Sequence, residues 1–331
     1  MIMKRKTQLA LGIFMLIGIM GYSLINTQDP IKYPELQKEI FGMADADQKY
    51  RRKYVTLLKK GKEKTSKFDK VAQTLVAIDR KNTARMKEII KQYGWPTITA
   101  VGKRASNSAW LLVQHADRDP IFQKYCLTIL ETEMEKNQID PANYAFLYDR
   151  VQLARGEKQK YATQSTRDEY TKKTFFQAIE DETNVQRRRT EMRIDIHVEE
   201  YAKRLGFAYK VPSLEEANRR TEEFAKAYED NIEKAKVAYD KKEFKIAADH
   251  YLRAAYSDGN MSTSDYVALA TSISQGNYDE KAYWGCNALV KASLRGWDGI
   301  FDLELNPDFE NLKKAGAGSW EDLMKVVQQL K

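Results

Sequence analysis

Residues 109–151 read AWLLVQHADRDPIFQKYCLTILETEMEKNQIDPANYAFLYDRV, and this stretch decides the fold class of the chain. It contains two Asp-Pro pairs, Asp119-Pro120 and Asp140-Pro141. Each pair places a carboxylate that can cap a helix before a proline that fits the first helical position. Apolar residues recur after each pair at spacings of about three and four positions, which is the period of a helix with one buried face. The stretch therefore predicts helices that are joined by short connections.

The same helical period continues along most of the chain on both sides of this stretch. A further helix is predicted over residues 105–115. Residues 97–101 and 206–211 are instead read as short extended pieces. The charged tract at 166–191 interrupts the apolar rhythm and is expected to lie partly extended over the surface.

The pair Pro212-Ser213 predicts a boundary, because the serine can cap a long helix that follows it. The chain then divides into three parts. We call them the N-terminal segment (residues 1–23), the first region (residues 35–211) and the C-terminal region (residues 213–331). The first region is predicted to be an irregular helical domain.

Small and aromatic residues in the C-terminal region have the spacing of tetratricopeptide repeats, in which they let the two helices of a hairpin pack closely. The residues that predict two such hairpins are Ala235, Tyr239, Phe244, Ala247, Tyr251 and Ala254, then Tyr266, Leu269, Ala270, Ala282, Trp284, Ala288 and Ala292. A final amphipathic helix follows them. The predicted fold class is therefore mainly α, with an N-terminal signal segment, an irregular helical domain and C-terminal tetratricopeptide-like hairpins.

The N-terminal segment has the composition of an export signal. Basic residues at 4–6 precede an almost continuous apolar run at 9–25. Gly21 and Ser23 form a small-x-small site that favours cleavage after Ser23, although the run is nearly long enough to remain as a membrane anchor. Residues 1–23 are therefore predicted to be a signal peptide or anchor of an exported, periplasmic or envelope-associated protein. Contact with a membrane is expected only through this segment, if it stays uncleaved.

Composition and charge argue against several classes of protein. Of the 331 residues, 43% are hydrophobic, which is ordinary for a globular chain with a buried core. The net charge of +8 is modest, and acidic residues are interspersed with the basic ones, so no nucleic-acid partner is expected. The two cysteines, Cys126 and Cys286, lie within apolar helical patterns and are expected to be buried free thiols.

His115 and Asp117 are the first candidates for acid–base chemistry, because a histidine beside a carboxylate can move a proton near neutral pH. Asp149, in the predicted helix that begins after Asp140-Pro141, is the third catalytic candidate. Each of them also has a structural explanation. A helix dipole favours a histidine near a helix C-terminus, and Asp149 could form an ion pair between helices with Arg150. The sequence leaves both readings open.

Four further residues are candidates for ligand binding: Trp95, Gln114, Arg150 and Gln164. The ring of Trp95 could line a pocket or fill the core, and the core is favoured. No metal site and no cofactor is predicted, because no second histidine stands at ligand spacing from His115. The sequence also lacks a glycine-rich phosphate loop, a nucleophile elbow and a zinc-protease helix. No enzyme class is therefore assigned.

Several short motifs occur in an order that resembles a bacterial family of unknown function. They are Asp79-Arg80-x-Asn82, Gly94-Trp95-Pro96, Gln114-His115-Ala116-Asp117-x-Asp119-Pro120, Tyr148-Asp149-Arg150-Val151 and Thr163-Gln164. The likeness covers about residues 50–211. It departs from the family pattern at Ala162, where glycine is usual, and at Asn137-Gln138, where Gly-Glu is usual. The resemblance brings no reaction or ligand, and it implies only that the polar residues of these motifs converge on one site.

Two functions are compatible with these patterns. The first is an exported, envelope-associated protein that binds an unidentified protein or peptide through its helical array. Two hairpins fall short of the three repeats that such an array usually needs, so a bracing role for the C-terminal region is a competing reading. The second function is an enzyme or small-ligand-binding domain with a polar site around His115.

Overall fold

The computed structural model describes residues 30–62, 65–168, 170–257 and 261–331, and over these residues the chain is mainly helical. The helices are α1 Pro34–Lys59, α2 Ser66–Tyr93, α3 Ile98–Val101, α4 Lys103–Gln114, α5 Pro120–Glu135, α6 Pro141–Ala154, α7 Val185–Glu191, α8 Val198–Arg204, α9 Leu214–Asp240, α10 Phe244–Ser257, α11 Thr263–Gln275, α12 Ala282–Leu294, α13 Glu310–Ala315 and α14 Ala317–Leu330. Two short strands, β1 Ser165–Arg167 and β2 Thr174–Phe176, pair antiparallel. The prediction of a mainly α fold is confirmed.

The predicted caps start the helices that they were expected to start. The Asp119 carboxylate accepts a hydrogen bond from the Phe122 amide at 3.0 Å and begins α5. Asp140 does the same for α6 at 3.1 Å, and the Ser213 hydroxyl begins α9 at 3.2 Å. These bonds satisfy amides that have no partner within the helix. Local capping chemistry therefore decides where these helices begin.

Two predictions of extended structure are wrong. Residues 97–101 contain the short helix α3, because the Thr97 hydroxyl accepts a hydrogen bond from the Ala100 amide at 3.2 Å and acts as its cap. Residues 206–211 form a loop without strand pairing. The strands β1 and β2 lie instead in the charged tract, which is extended in this part as expected.

In the first region, α1 packs against α2 and α4, and the apolar faces of these helices form one core with α5 and α6. Each of the two long helices carries an acidic residue within its buried face. Asp47 of α1 follows Ile40 and Ala44 at helical spacing and is completely buried. Asp79 of α2 follows Leu75 in the same way. The packing of α1 on α2 therefore carries carboxylates into the interior.

The C-terminal region consists of successive helical hairpins, α9 with α10 and α11 with α12, on which α13 and α14 pack. Its own core includes Tyr251, Leu269, Leu289 and Phe309. Whether these hairpins are tetratricopeptide repeats stays a prediction. Helix α14 also contacts α5, so the C-terminal region packs on the first region.

Three further expectations concern the cysteines and the N-terminus. Cys126 and Cys286 are buried and free, as predicted. The predicted signal segment lies outside the described residues. From residue 30 onward, none of the helices that the structure describes combines the length and the apolar character that a membrane crossing requires.

Candidate functional site

Three helices bring four charged or polar side chains together inside the first region, and we call this group the His115 cluster. It consists of Asp47 and Arg51 on α1, Asp79 on α2 and His115 at the C-terminal end of α4. Asp47, Asp79 and His115 are buried, and each offers a ligand atom within 4.8 Å of those of the other two.

Arg51 supplies the positive charge of the His115 cluster. Its Nε lies 2.9 Å from Asp47 Oδ1, and its Nη2 lies 2.6 Å from Asp79 Oδ1. Two carboxylates and an imidazole at this spacing are a donor set that a divalent cation can use. A metal ion would have to displace the Arg51 guanidinium, which already bonds to both carboxylates. The arrangement therefore favours an arginine-centred site over a metal centre.

Asp47 orients the ring of His115. The distance from His115 Nδ1 to Asp47 Oδ2 is 3.0 Å, and Arg51 Nε lies 2.9 Å from the same nitrogen. The single hydrogen on Arg51 Nε can be directed to Asp47 Oδ1, so Nδ1–H is free to donate to Asp47 Oδ2. Ionised Asp47 favours this tautomer, which leaves the lone pair of the imidazole on Nε2.

The surroundings lower the pKa values of both members of this pair. Burial disfavours the charged form of Asp47, but the hydrogen bond and charge of His115 and the charge of Arg51 outweigh it and lower the pKa to about 2. Burial and the charge of Arg51 lower the pKa of His115 to about 4, against the opposing effect of Asp47. At neutral pH the pair is a carboxylate and a neutral imidazole.

Asp79 behaves differently from Asp47. Burial raises its pKa to about 7, and the negative charges of Asp47 and Asp117 act in the same direction, while Arg51 opposes them. Asp79 therefore holds a proton for much of the time at neutral pH, next to an imidazole that is unprotonated. Such a pair has the proton affinities of a general acid and a general base.

The His115 cluster borders a cavity of about 80 Å³ between the first region and the C-terminal region. The first region contributes Asp79, His115 and Arg118 to its lining. The C-terminal region contributes Tyr283 of α12 and Asp322 of α14. The cavity therefore exists only where the two regions meet.

Asp322 joins the two regions through two arginines. Its carboxylate accepts hydrogen bonds from Arg80 Nη2 at 2.9 Å and from Arg118 Nη1. Only 9% of the Asp322 side chain is exposed. Arg118 thus binds the Asp322 carboxylate at the edge of the cavity. An anionic ligand would bind Arg118 in the place of this carboxylate.

The structure brings some of the candidates together and separates others. Asp117 lines the same cavity as His115, and its carboxylate accepts hydrogen bonds from Arg150 and from Gln123 Nε2, the latter at 3.3 Å. The candidates His115, Asp117 and Arg150 therefore belong to one neighbourhood. The Asp149-Arg150 ion pair does not form, because Arg150 pairs with Asp117.

Asp149 holds a loop of the backbone. Its carboxylate accepts hydrogen bonds from the amides of Lys160, Tyr161 and Thr163 at 2.7 to 3.0 Å, and from the Thr163 hydroxyl at 2.8 Å. It is completely buried and does not line the cavity beside His115. With its oxygens occupied in this way, Asp149 has a structural role.

The remaining ligand-binding candidates lie in the protein interior. Gln114 Nε2 and Gln164 Nε2 both donate to the Phe146 carbonyl oxygen of α6, at 3.3 and 3.5 Å. Trp95 belongs to the hydrophobic core of the first region. None of the three lines the cavity beside His115. They support the helices that position the site.

The family of the chain follows from residues 34–213, which match a protein family of unknown function, DUF6624. The chain belongs to this family. The DUF6624 region begins and ends within two residues of the first region as predicted from the sequence. The match assigns no role to any residue. No curated protein and no solved structure is significantly similar to the chain.

Sequence reasoning missed Asp47 and Arg51 and noted Asp79 only within a family motif. A signal was present in the helical period of α1. Leu36, Ile40 and Ala44 form an apolar stripe, and Asp47 and Arg51 continue it at spacings of three and four. Charged residues on an apolar stripe either disrupt the core or form a buried polar cluster. In the DUF6624 region they form the cluster.

Proposed function

We propose that the DUF6624 region forms a general acid–base site that acts on a small anionic molecule in the cavity beside His115. One observation carries this proposal. Two groups of opposite proton affinity, neutral His115 and protonated Asp79, border the same cavity. Environments that push two titratable groups apart in this way are typical of acid–base catalysis.

Each side chain has a role in this scheme. His115 accepts a proton through Nε2, and Asp79 donates one. Asp47 is a positioning residue, because it holds Nδ1–H and stabilises the imidazolium that forms. Arg118 pairs with the negative charge of the substrate after Asp322 has moved aside. The reaction class is therefore proton transfer within a bound anion.

Covalent catalysis through the cysteine beside the cavity is disfavoured. Cys286 lines the cavity, but burial raises the pKa of its thiol to about 12, and the charge of Asp322 adds to this effect. The thiolate, which is the reactive form, is therefore scarce at neutral pH. This supports proton transfer over nucleophilic attack.

A ligand screen tests the site. Small carboxylates and phosphate esters are added to the purified chain, and stabilisation is followed by thermal unfolding. His115→Gln is then compared with His197→Gln, which changes a histidine that is exposed at the start of α8. We expect a ligand that stabilises the wild type and the His197 variant but stabilises the His115 variant much less. Equal stabilisation of all three proteins would reject the site.

A hit from this screen also tests the acid–base roles. In deuterated buffer, a substrate that undergoes proton transfer exchanges hydrogen for deuterium, which is followed by nuclear magnetic resonance. Exchange should be lost in His115→Gln and in Asp79→Asn while the ligand still binds to the Asp79 variant. Exchange that continues in the His115 variant would show that His115 is not the base.

Export and the binding of a protein or peptide stay predictions from the sequence. Sequencing the N-terminus of the mature protein tests signal cleavage, and an intact Met1 on a membrane-bound product would contradict it.

The contacts of the C-terminal region support the alternative that it braces the first region. Asp322 pairs with Arg80 and Arg118, and the Tyr170 hydroxyl donates to Asp249 Oδ1 at 2.8 Å.

A further inference from the structure

A second cavity, of about 100 Å³, lies beside a neighbouring face of α12, and Asn287 lines both this cavity and the one beside His115. The end of α6 and the β1–β2 hairpin form one wall, and α10, α11 and α12 form the other. Its lining is mostly apolar and aromatic and includes Phe175, Leu252, Tyr266, Leu269 and Trp284. We call it the Lys291 cavity, after the lysine that α12 places in it.

Lys291 is the cation of this lining, and its ammonium group bonds to a carbonyl oxygen instead of a carboxylate. Its Nζ donates a hydrogen bond to the Leu153 carbonyl oxygen and lies 5.8 Å from the centre of the Tyr266 ring. No carboxylate of a described residue forms a salt bridge with it. Glu157, the carboxylate of the lining, lies 4.0 Å from Arg295. An ammonium group has three hydrogens to donate, and the Leu153 carbonyl takes one of them.

The proton state of Lys291 suits the binding of an anion. Burial and the charge of Arg295 lower its pKa to about 8, and Glu157 partly opposes them. The lysine is therefore mainly protonated at neutral pH. A partly buried cation among aromatic rings is costly unless it is paired. A negatively charged ligand would remove this cost.

The shape of the cavity restricts the ligand. An apolar cavity of about 150 Å³ can hold a benzene ring, and the Lys291 cavity is smaller and partly open to solvent. The volume therefore limits the buried part of a ligand to at most one ring or a short alkyl chain. We propose that the Lys291 cavity binds a small monocarboxylic acid, with its carboxylate on Lys291 and its apolar body against Tyr266 and Trp284.

The experiment uses the full purified chain and three probes, benzoate, hexanoate and the neutral isostere benzamide. Binding is measured by titration calorimetry at pH 7. We expect both carboxylates to bind, and benzoate to bind at least about tenfold more tightly than benzamide, because a hydrogen bond to a charged group contributes that much. No binding of either carboxylate, or equal affinity for benzoate and benzamide, overturns the proposal.

Lys291→Met removes the charge and keeps the length of the side chain. We expect it to weaken benzoate binding about tenfold and to leave benzamide binding unchanged. Lys124→Met, at an exposed lysine on α5, is the matched control and should bind benzoate as the wild type does. Unchanged benzoate affinity in the Lys291 variant overturns the proposal.

A pH titration of the wild type tests the same point without a variant. The charged or titratable groups that face Lys291 are Arg295, Glu157 and Tyr266. Burial raises the pKa of Tyr266 above the range from pH 7 to 9, so Tyr266 does not lose its proton together with Lys291. Benzoate affinity should therefore fall between pH 7 and 9, as Lys291 loses its proton. An affinity that is constant over this range contradicts the assignment.

Discussion

Asp322 is the side chain through which the C-terminal region is tied to the DUF6624 region, and its removal is our main prediction. The Asp322→Ala variant loses a carboxylate that accepts hydrogen bonds from Arg80 and Arg118. The two guanidinium groups then remain close together without the carboxylate whose negative charge offsets their mutual repulsion. The variant should therefore be less stable, and the interface between the two regions should loosen.

The expected loss of stability follows from how far the side chains of this ion pair are exposed to solvent. Breaking a buried ion pair costs about 3–5 kcal/mol, whereas an exposed pair contributes about 0–1 kcal/mol. The Asp322 side chain is 9% exposed, but those of Arg118 and Arg80 are 21% and 35% exposed, so solvent screens part of the interaction. We expect a loss of about 2 kcal/mol in the free energy of unfolding. Asp322→Asn should lose nearly as much, because it keeps the volume and removes the charge.

The assay is urea denaturation, combined with a double-mutant cycle of Asp322→Ala and Arg118→Ala. We expect a coupling energy of about 1–2 kcal/mol between these two residues. Glu321→Ala is the matched control, because Glu321 is 64% exposed and lies 3.7 Å from Arg80. It should change stability by less than about 0.5 kcal/mol. If Asp322→Ala costs no more than Glu321→Ala, the proposed link between the regions is wrong.

Three further variants test the interior. The pKa of Asp79 is raised to about 7 from 3.8, so the folded state binds more protons than the unfolded state over this range. The ionisation of Asp79 therefore destabilises the fold as pH rises from about 4 to 7. Asp79→Asn removes this ionisation and should be more stable than the wild type between pH 5 and 8, as measured by urea denaturation. The absence of such a gain would contradict the raised pKa. The pH dependence that His115 contributes has the opposite sign, because its pKa is lowered in the folded state and the fold loses stability as pH falls from 6.5 to 4. His115→Gln should therefore lose less stability in acid than the wild type. A loss equal to that of the wild type would contradict the lowered pKa. Asp149→Ala leaves the amides around residue 160 without their acceptor, and it should lower the free energy of unfolding by about 3 kcal/mol. Hydrogen exchange of those amides should become faster. Protection of the amides equal to that in the wild type would exclude a structural role for Asp149.

The sequence by itself determined the helices and where they begin. Caps such as Asp119 and Ser213 act on amides three residues away, and apolar periodicity acts over one or two turns. Because these interactions are local, they can be predicted from a single sequence. The same reasoning failed at Thr97, where a cap started a helix that the neighbouring residues did not indicate.

Only the tertiary structure decided which polar residues form the site. His115 was a candidate from its type and neighbours, but its partner Arg51 lies 64 residues earlier in the chain. Arg118 meets Asp322 across 204 residues. Helix packing makes these contacts, and the pKa values follow from the burial that packing creates. Asp149, equally polar in sequence, instead binds the loop that follows its own helix, through amides 11 to 14 residues later in the chain, and it therefore does not take part in the site.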